Sequence, residues 1–172
     1  MAKNYGTPVI EIPVRLPSQR SYWETHFSET QEQKQTAIVA ETRHCIESRR
    51  AVLIGTPSIA ESQAISQLLE TNGLTHRLLN GIQDAEEADV ITHAGRAGAI
   101  TVATNMAGRG TDIILGGNAE TMAWAQLQNT YQTRLDVPKN EWDTLVTSIS
   151  DRESMKSEGN KVREMGGLQI VG

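Results

Sequence analysis

The chain holds one cysteine, Cys45, among 172 residues, so no intrachain disulfide can staple it and a reducing compartment is its natural home. Aromatic residues amount to 4%, which leaves a core to be built from Ile, Leu, Val and Ala. No run approaches the roughly 20 apolar residues of a membrane span, and the N-terminus has no apolar stretch of the signal-peptide kind. A cytoplasmic protein is expected, meeting the inner face of a membrane only peripherally, through a partner. The net charge of -5 argues against a domain that binds nucleic acid alone, because phosphate contacts need a basic surface. No Gly-Lys dipeptide occurs, so the phosphate-binding loop G-x-x-x-x-G-K-[ST] is missing. His26, His44, His76 and His93 show no metal-ligand spacing, and no metal site is predicted.

What is present is one domain's worth of alternating strand and helix patterns. VIEIPV (9–14), AVLIG (51–55), HRLLN (76–80), AITVA (99–103) and LQIVG (168–172) read as strands. They are apolar nearly throughout, as in a parallel sheet covered on both faces. Ser58 with Glu61 is a capping box for a helix that carries Ala64, Ile65, Leu68 and Leu69 and stops at Gly73. Asp84 with Glu87 starts another, with Ala88 and Ile91 inward and Gly95 ending it. The stretch 29–47 is a weaker helix with Ala37, Ile38 and Cys45 on its apolar side. The order predicts an open parallel α/β sheet with ligands at the carboxyl ends of its strands.

Residues 118–165 interrupt this alternation. Asn118 caps a helix with Met122, Ala123 and Leu127, and Pro138 separates it from a second with Trp142, Leu145, Val146 and Ile149. Beyond Ser150 the pattern dissolves into DRESMKSEGNKVRE, read as a solvated stretch. The whole region is expected to be a helical excursion that tolerates shortening at 151–160.

Directly after AITVA comes a dense glycine run, TVATNMAGRGTDIILGG, at 101–117. Glycines let backbone N–H groups approach an anion, and Arg109 adds a fixed positive charge between Gly108 and Gly110. Asp112 would be repelled by phosphate but can accept from a ribose hydroxyl or from water on Mg²⁺. The plainer alternative is a glycine-rich turn with a surface Arg–Asp pair. No apolar strand ends in the acidic pair that would hold Mg²⁺ itself, so ATP could be met here only as the second half of a site.

ATNMAGRGTDIILGGN (103–118) closely resembles the motif that marks the second motor domain of the SecA family, ATPases that drive preproteins through the bacterial Sec channel. YGTPVIEIPVRLPSQR, AVLIGTPSIAESQAISQLLETNGLTHRLLN, EEADVITHAGRAGAITVATNMAGRGTD and EMGGLQIVG resemble further family segments in the same order. Only 118–160 falls outside the likeness, and LPSQR is closer to SecA-like accessory ATPases. The resemblance implies a RecA-like parallel sheet with helices on both faces, of the helicase superfamily 2 C-terminal motor type, plus a helical variable insert at 118–165. It implies a single second motor domain over 1–172, truncated at its C-terminus before the family's arginine-rich motif. It also implies ATP and Mg²⁺ bound mainly by a first motor domain outside this chain. Asp112 carries over as the ATP contact, Gly108 and Gly110 as the loop beside it, and Arg109 as the catalytic charge. Gly55 and Thr56 match the loop after the second family strand, and Asn80 matches the family's LNA motif. Here Gly81 and Ile82 follow instead of alanine and a basic residue, and Gln169 stands where histidine is usual. Implied partners are the first motor domain, a Sec-type membrane channel and a preprotein, with no nucleic acid and no transmembrane segment. A helicase C-terminal domain and a non-catalytic module that binds a partner motor remain as alternatives.

The other conspicuous residues read as structural. Cys45 is a small core residue, His76 a satisfied polar group at the sheet edge, Arg49–Arg50 a helix C-terminal pair, Trp124 and Trp142 packing residues, and Glu86–Glu87 first-turn acids.

Overall fold

The computed structural model describes residues 17–81, 84–105, 107 and 112–172, together with 6, 8, 10 and 12–14. Helix α1 (Gln31–Glu47) leads into β1 (Val52–Thr56), α2 (Ile59–Thr71), β2 (Arg77–Leu79), α3 (Asp84–His93) and β3 (Ile100–Thr104). Three further helices follow, α4 (Ala119–Leu127), α5 (Lys139–Arg152) and α6 (Met155–Glu164), with a 3-10 turn at Arg134–Asp136 between the first two; β4 (Gln169–Val171) closes the order. The strands form one parallel sheet in the order β2-β3-β1-β4.

Alternation along the two central strands explains how the sheet is covered. Val52, Ile54, Ile100 and Val102 point to one face and pack with Ile38 and Cys45 of α1 and Ile65 and Leu69 of α2. Leu53, Leu79 and Ala103 point to the other and meet Val90 and Ile91 of α3. This is a four-stranded parallel sheet with helices on both faces, a P-loop NTPase-like α/β fold. Each large aliphatic side chain buried in it contributes about 1.5–3 kcal/mol.

Local chemistry fixes the helix ends. Thr30 caps α1 by accepting from the Gln33 amide, and Ser58 caps α2 by accepting from the Glu61 amide. At the far end of α2, Gly73 takes φ +70°. Its amide donates to the Glu70 carbonyl and that of Leu74 to the Leu69 carbonyl, the Schellman arrangement that a β-carbon would disfavour. The buried stripe of α2 is Ser62, Ile65, Ser66 and Leu69, whereas Ala64 is exposed. On α3, Val90 rather than Ala88 joins Ile91 in the core.

Two expectations need correction. The first predicted strand, 9–14, does not form at its described residues: Ile10 and 12–14 carry no strand, and Ile10, Ile12 and Val14 are exposed. Pro13 removes a ladder donor from the middle of the run, and an apolar run without a paired neighbour buries nothing. The second concerns 150–165. Instead of a solvated stretch, α5 continues to Arg152 and α6 occupies Met155–Glu164, with Met155, Gly159 and Val162 buried on one stripe. Met155 joins Ala123 and Ile149 in a small separate core that Met122, Trp142, Leu145 and Val146 flank. Removing 151–160 would open that core, so the expected tolerance does not hold.

Candidate functional site

Because all four strands are parallel, their carboxyl ends share one edge. The register sets Thr56 of β1 beside Thr104 of β3, and Leu79 of β2 beside Ala103. Thus Gly55 and Thr56 of β1, Asn80 after β2 and Asn105 after β3 lie along this edge. Gly55 is half-buried, and a β-carbon there would meet only the Val171 carbonyl oxygen at 3.8 Å, an ordinary contact. Packing does not demand glycine at 55. Thr56 is buried and its hydroxyl donates to the Ala103 carbonyl at 3.2 Å, so the side chain is taken up within the sheet. Asn80 is half-buried and engaged. Asp112 is exposed. Gly108, Arg109 and Gly110 lie outside the described residues.

The segment carrying Asp112 is held on both sides. Upstream, the Asn105 amide donates to the Thr56 carbonyl at 3.1 Å, and the Ala107 amide donates to the Thr104 hydroxyl at 3.3 Å. Downstream, Ile114–Gly117 forms a strap. The Gly116 amide donates to the Gly95 carbonyl at 2.8 Å, the Gly117 amide to that of Ile114 at 3.0 Å, and the Asn118 amide to that of Thr92 at 3.2 Å. Asn118 then caps α4, accepting from the Glu120 and Thr121 amides.

Backbone packing against this strap is unusually close. A β-carbon on Gly95 would collide with the Ile114 carbonyl, one on Gly116 with the Met155 carbonyl, and one on Gly159 with the Leu115 carbonyl. Gly116 also sits at φ +90°. The strap therefore lies between the turn after α3 and the first turns of α6, with no room for side chains at these contacts. Arg96, next to Gly95, pairs through Nε with Glu158 Oε2 at 2.9 Å and through Nη1 with Glu153 Oε2 at 3.6 Å. Glu158 Oε1 accepts from the Ala97 amide at 2.7 Å. Sequence reasoning singled out Asp112 and read Gly95 only as a helix stop; it missed Arg96, Glu153, Glu158 and the packing role of Gly159. Their only signal was an acidic pair and a glycine in a polar run far along the chain.

The remaining candidates are structural. Cys45 is fully buried, and burial, reinforced by the Glu41 carboxylate 3.5 Å from its sulfur, pushes the thiol up to about 11. It stays protonated at neutral pH and is no nucleophile. The half-buried His76 donates from Nδ1 to the Leu74 carbonyl and accepts the Ser66 hydroxyl at Nε2, 2.6 Å away. Arg50 ties the turn before β4 by donating to the Gly166 and Gly167 carbonyls, a longer reach than capping its own helix. Tyr131 donates to Glu141 at 2.8 Å, which raises the pKa of its phenol. Among the described residues no three of His, Cys, Asp and Glu gather as a metal site, and no helix is long and apolar enough to cross a membrane.

A four-stranded parallel sheet covered by helices on both faces is a P-loop NTPase-like α/β fold. The model of the SecA P-loop domain matches residues 17–172, and the chain belongs to the SecA family. It is 58% identical over 123 residues to protein translocase subunit SecA 1 of Rhodopirellula baltica, covering 72% of this chain and 10% of that protein. It is 39% identical over 171 residues to protein translocase subunit SecA 1 of Corynebacterium diphtheriae, covering 98% and 20%. With protein translocase subunit SecA of an Acidovorax species it shares 42% over 167 residues, covering 97% and 17%. The chain thus spans about a tenth to a fifth of the length of these curated relatives.

Proposed function

We propose that this chain is the second motor half of a SecA-type ATPase, completing an ATP site that a first motor domain mainly holds and coupling it to preprotein translocation through a Sec-type membrane channel. The observation that carries the reading is an exposed carboxylate, Asp112, in the segment that follows β3, in a sequence without a phosphate loop of the G-x-x-x-x-G-K-[ST] type. Gly55 is glycine where packing would accept a side chain, and Asp112 is an exposed carboxylate next to an anchored strap. No Gly-Lys dipeptide occurs in the sequence. The residues fit one side of a nucleotide: a single carboxylate and backbone amides, with the β- and γ-phosphate lysine and the Mg²⁺ ligands left to the other half.

In this reading the Asp112 carboxylate accepts from a ribose hydroxyl or from water bound to Mg²⁺. Thr56 and Gly55 set the shape of the edge through their backbone, and Asn80 borders it. Gly108 and Gly110 let the loop approach, and Arg109 brings positive charge to the γ-phosphate, where negative charge develops in the transition state. ATP, when bound, would supply a γ-phosphoryl group for transfer to water, with ADP as the leaving group. Each half alone makes few of the contacts, so affinity comes from closure. Residues 118–165 form a helical insert between β3 and β4 in this scheme. The protein works in the cytoplasm and at the inner membrane face through its partners. Membership in the SecA family and the acidic composition favour translocation over the helicase alternative.

A turnover assay tests the proposal. The purified chain is expected to stay at buffer background with ATP and Mg²⁺, and to raise turnover when added to a separately purified first motor domain. Sustained turnover by the chain alone, following the protein peak and lost in Asp112→Ala, would overturn the half-site reading.

A further inference from the structure

We infer that Arg96 and Glu158 are positioning residues for Asp112: they clamp helix α6 to the turn after α3 and thereby fix the strap on which Asp112 is carried. The inference rests on the proposed role of Asp112. Its physical basis lies in groups outside the nucleotide edge. Asp112 is exposed and sits two residues before the strap at Ile114–Gly117. An exposed carboxylate has no packing of its own to hold it, so its direction is set by the backbone on either side.

On the upstream side that backbone continues from β3, a fully buried strand. On the downstream side there is no strand. The hold there consists of the Gly116 amide on the Gly95 carbonyl, the Asn118 amide on the Thr92 carbonyl, and the close passage of Gly116 and Leu115 under Met155 and Gly159 of α6. The contacts with Met155 and Gly159 exist only while α6 stays in place. α6 itself is polar, with Met155, Gly159 and Val162 as its buried residues. Little apolar area presses it down.

The pair Arg96–Glu158 supplies what the apolar contact lacks. Glu158 uses both carboxylate oxygens on the same turn, Oε2 on the Arg96 guanidinium and Oε1 on the Ala97 amide. Both side chains are roughly three-quarters buried, which limits screening by solvent. Glu153, at the end of α5, adds a second carboxylate to the same guanidinium. The Arg96 side chain also lies over Gly117, whose position would not admit a β-carbon without displacing it. One arginine therefore touches the strap, α6 and the junction of α5 with α6. The helical segment is joined to the strap through this point.

The test compares Arg96→Met, which keeps the aliphatic stem over Gly117 but removes the charge, with Arg96→Lys, which restores it. Hydrogen exchange is read at 112–118 in the full chain, and ATP titrations are run on the chain assembled with a first motor domain. Arg96→Met is expected to speed exchange at 112–118 about five-fold or more, with β1 and β3 amides unchanged, and to raise the KM for ATP by a similar factor at constant kcat. Arg96→Lys is expected to recover most of both effects. Glu158→Gln should reproduce the Arg96→Met pattern more weakly, since its amide oxygen still accepts from Ala97. Unchanged exchange at 112–118 in Arg96→Met, or faster exchange spread evenly over the sheet, would overturn the clamp. Loosened exchange with an unaltered KM would overturn the positioning of Asp112. Asp112→Ala, run alongside, separates the two readings: if it binds ATP like the parent, the nucleotide role itself fails, whereas if it weakens binding and Arg96→Met does not, only the positioning fails.

Discussion

The sheet and the helical segment that follows it are held together by different means. Around β1 and β3 the chain buries Val52, Ile54, Ile65, Leu69, Ile100 and Val102, a continuous aliphatic core of the usual dry kind. Helices α4–α6 have a smaller core around Ala123, Ile149 and Met155, and meet the rest of the domain through packing of α4 on α3, glycine contacts and one shared arginine. The aliphatic core tolerates a change of shape at modest cost, because neighbouring side chains can repack. A backbone-to-backbone contact has no side chain to yield. The strap after β3 and the helix against it are therefore the parts with the least room for substitution.

Deleting residues 151–160 makes the sharpest break. If the helices were an appendage, the melting midpoint would hardly move. Because the deletion removes Met155 and Gly159 together with Glu153 and Glu158, the midpoint is expected to fall by more than about 8 °C, the shift from at least 2–3 kcal/mol at this size. Gly159→Ala asks the same question with one methyl group. Alanine favours a helix by about 1 kcal/mol over glycine, yet the collision with the Leu115 carbonyl should reverse that sign and cost about 2 kcal/mol. Urea denaturation against Ser157→Ala, an exposed position on the same helix, checks it, and a stabilised Gly159→Ala would show that α6 has space to spare.

Two predictions concern the sheet half. The Cys45 thiol is held protonated by burial, with its pKa at about 11 against an ordinary 9.0. The unfolded chain therefore loses this proton first. The stabilisation is complete below pH 9 and disappears as pH rises toward 11, a loss on the order of 2 kcal/mol. Denaturation midpoints for the parent should show this fall between those values, and Cys45→Ala should flatten it; identical slopes would remove the cause assigned to the thiol. A smaller effect is expected at Thr101, whose buried hydroxyl finds no partner among the described residues. Thr101→Val keeps the shape and removes an unpaired polar group, so it should be neutral or stabilise by up to about 1 kcal/mol. A clear loss in the same urea experiment would point to a partner for that hydroxyl.

Much of the sheet was legible in the sequence, for a physical reason. Strands buried on both faces are apolar without interruption, and AVLIG, HRLLN, AITVA and LQIVG all lie within one residue of β1 to β4. Ser58 and Gly73 marked the ends of α2 because capping is a local interaction. The run at 9–14 misled because apolar composition was weighed without the effect of Pro13 on pairing. Helix α6 was missed because MKSEGNKVRE offers two apolar residues and a glycine, normally a helix breaker. Here the glycine is what lets the helix approach the strap. Asp112 was singled out by its motif, and the structure shows it exposed, two residues before the strap. The anchoring contacts from Gly95, Arg96 and Glu158 were not legible, since they join residues about sixty positions apart with no shared pattern.

The central claim is that Asp112 stands at an ATP site completed by another motor half. Calorimetry of ATP binding to the chain assembled with a first motor domain, parent against Asp112→Ala, measures it directly. Asp112 is exposed, so the substitution should leave folding stability within about 0.5 kcal/mol and any change belongs to the ligand. The expected result is a loss of about 1–3 kcal/mol in ATP binding, as for hydrogen bonds to a charged group. ATP affinity equal to the parent's in an equally stable Asp112→Ala assembly would contradict the claim, and leave the glycine run as a turn.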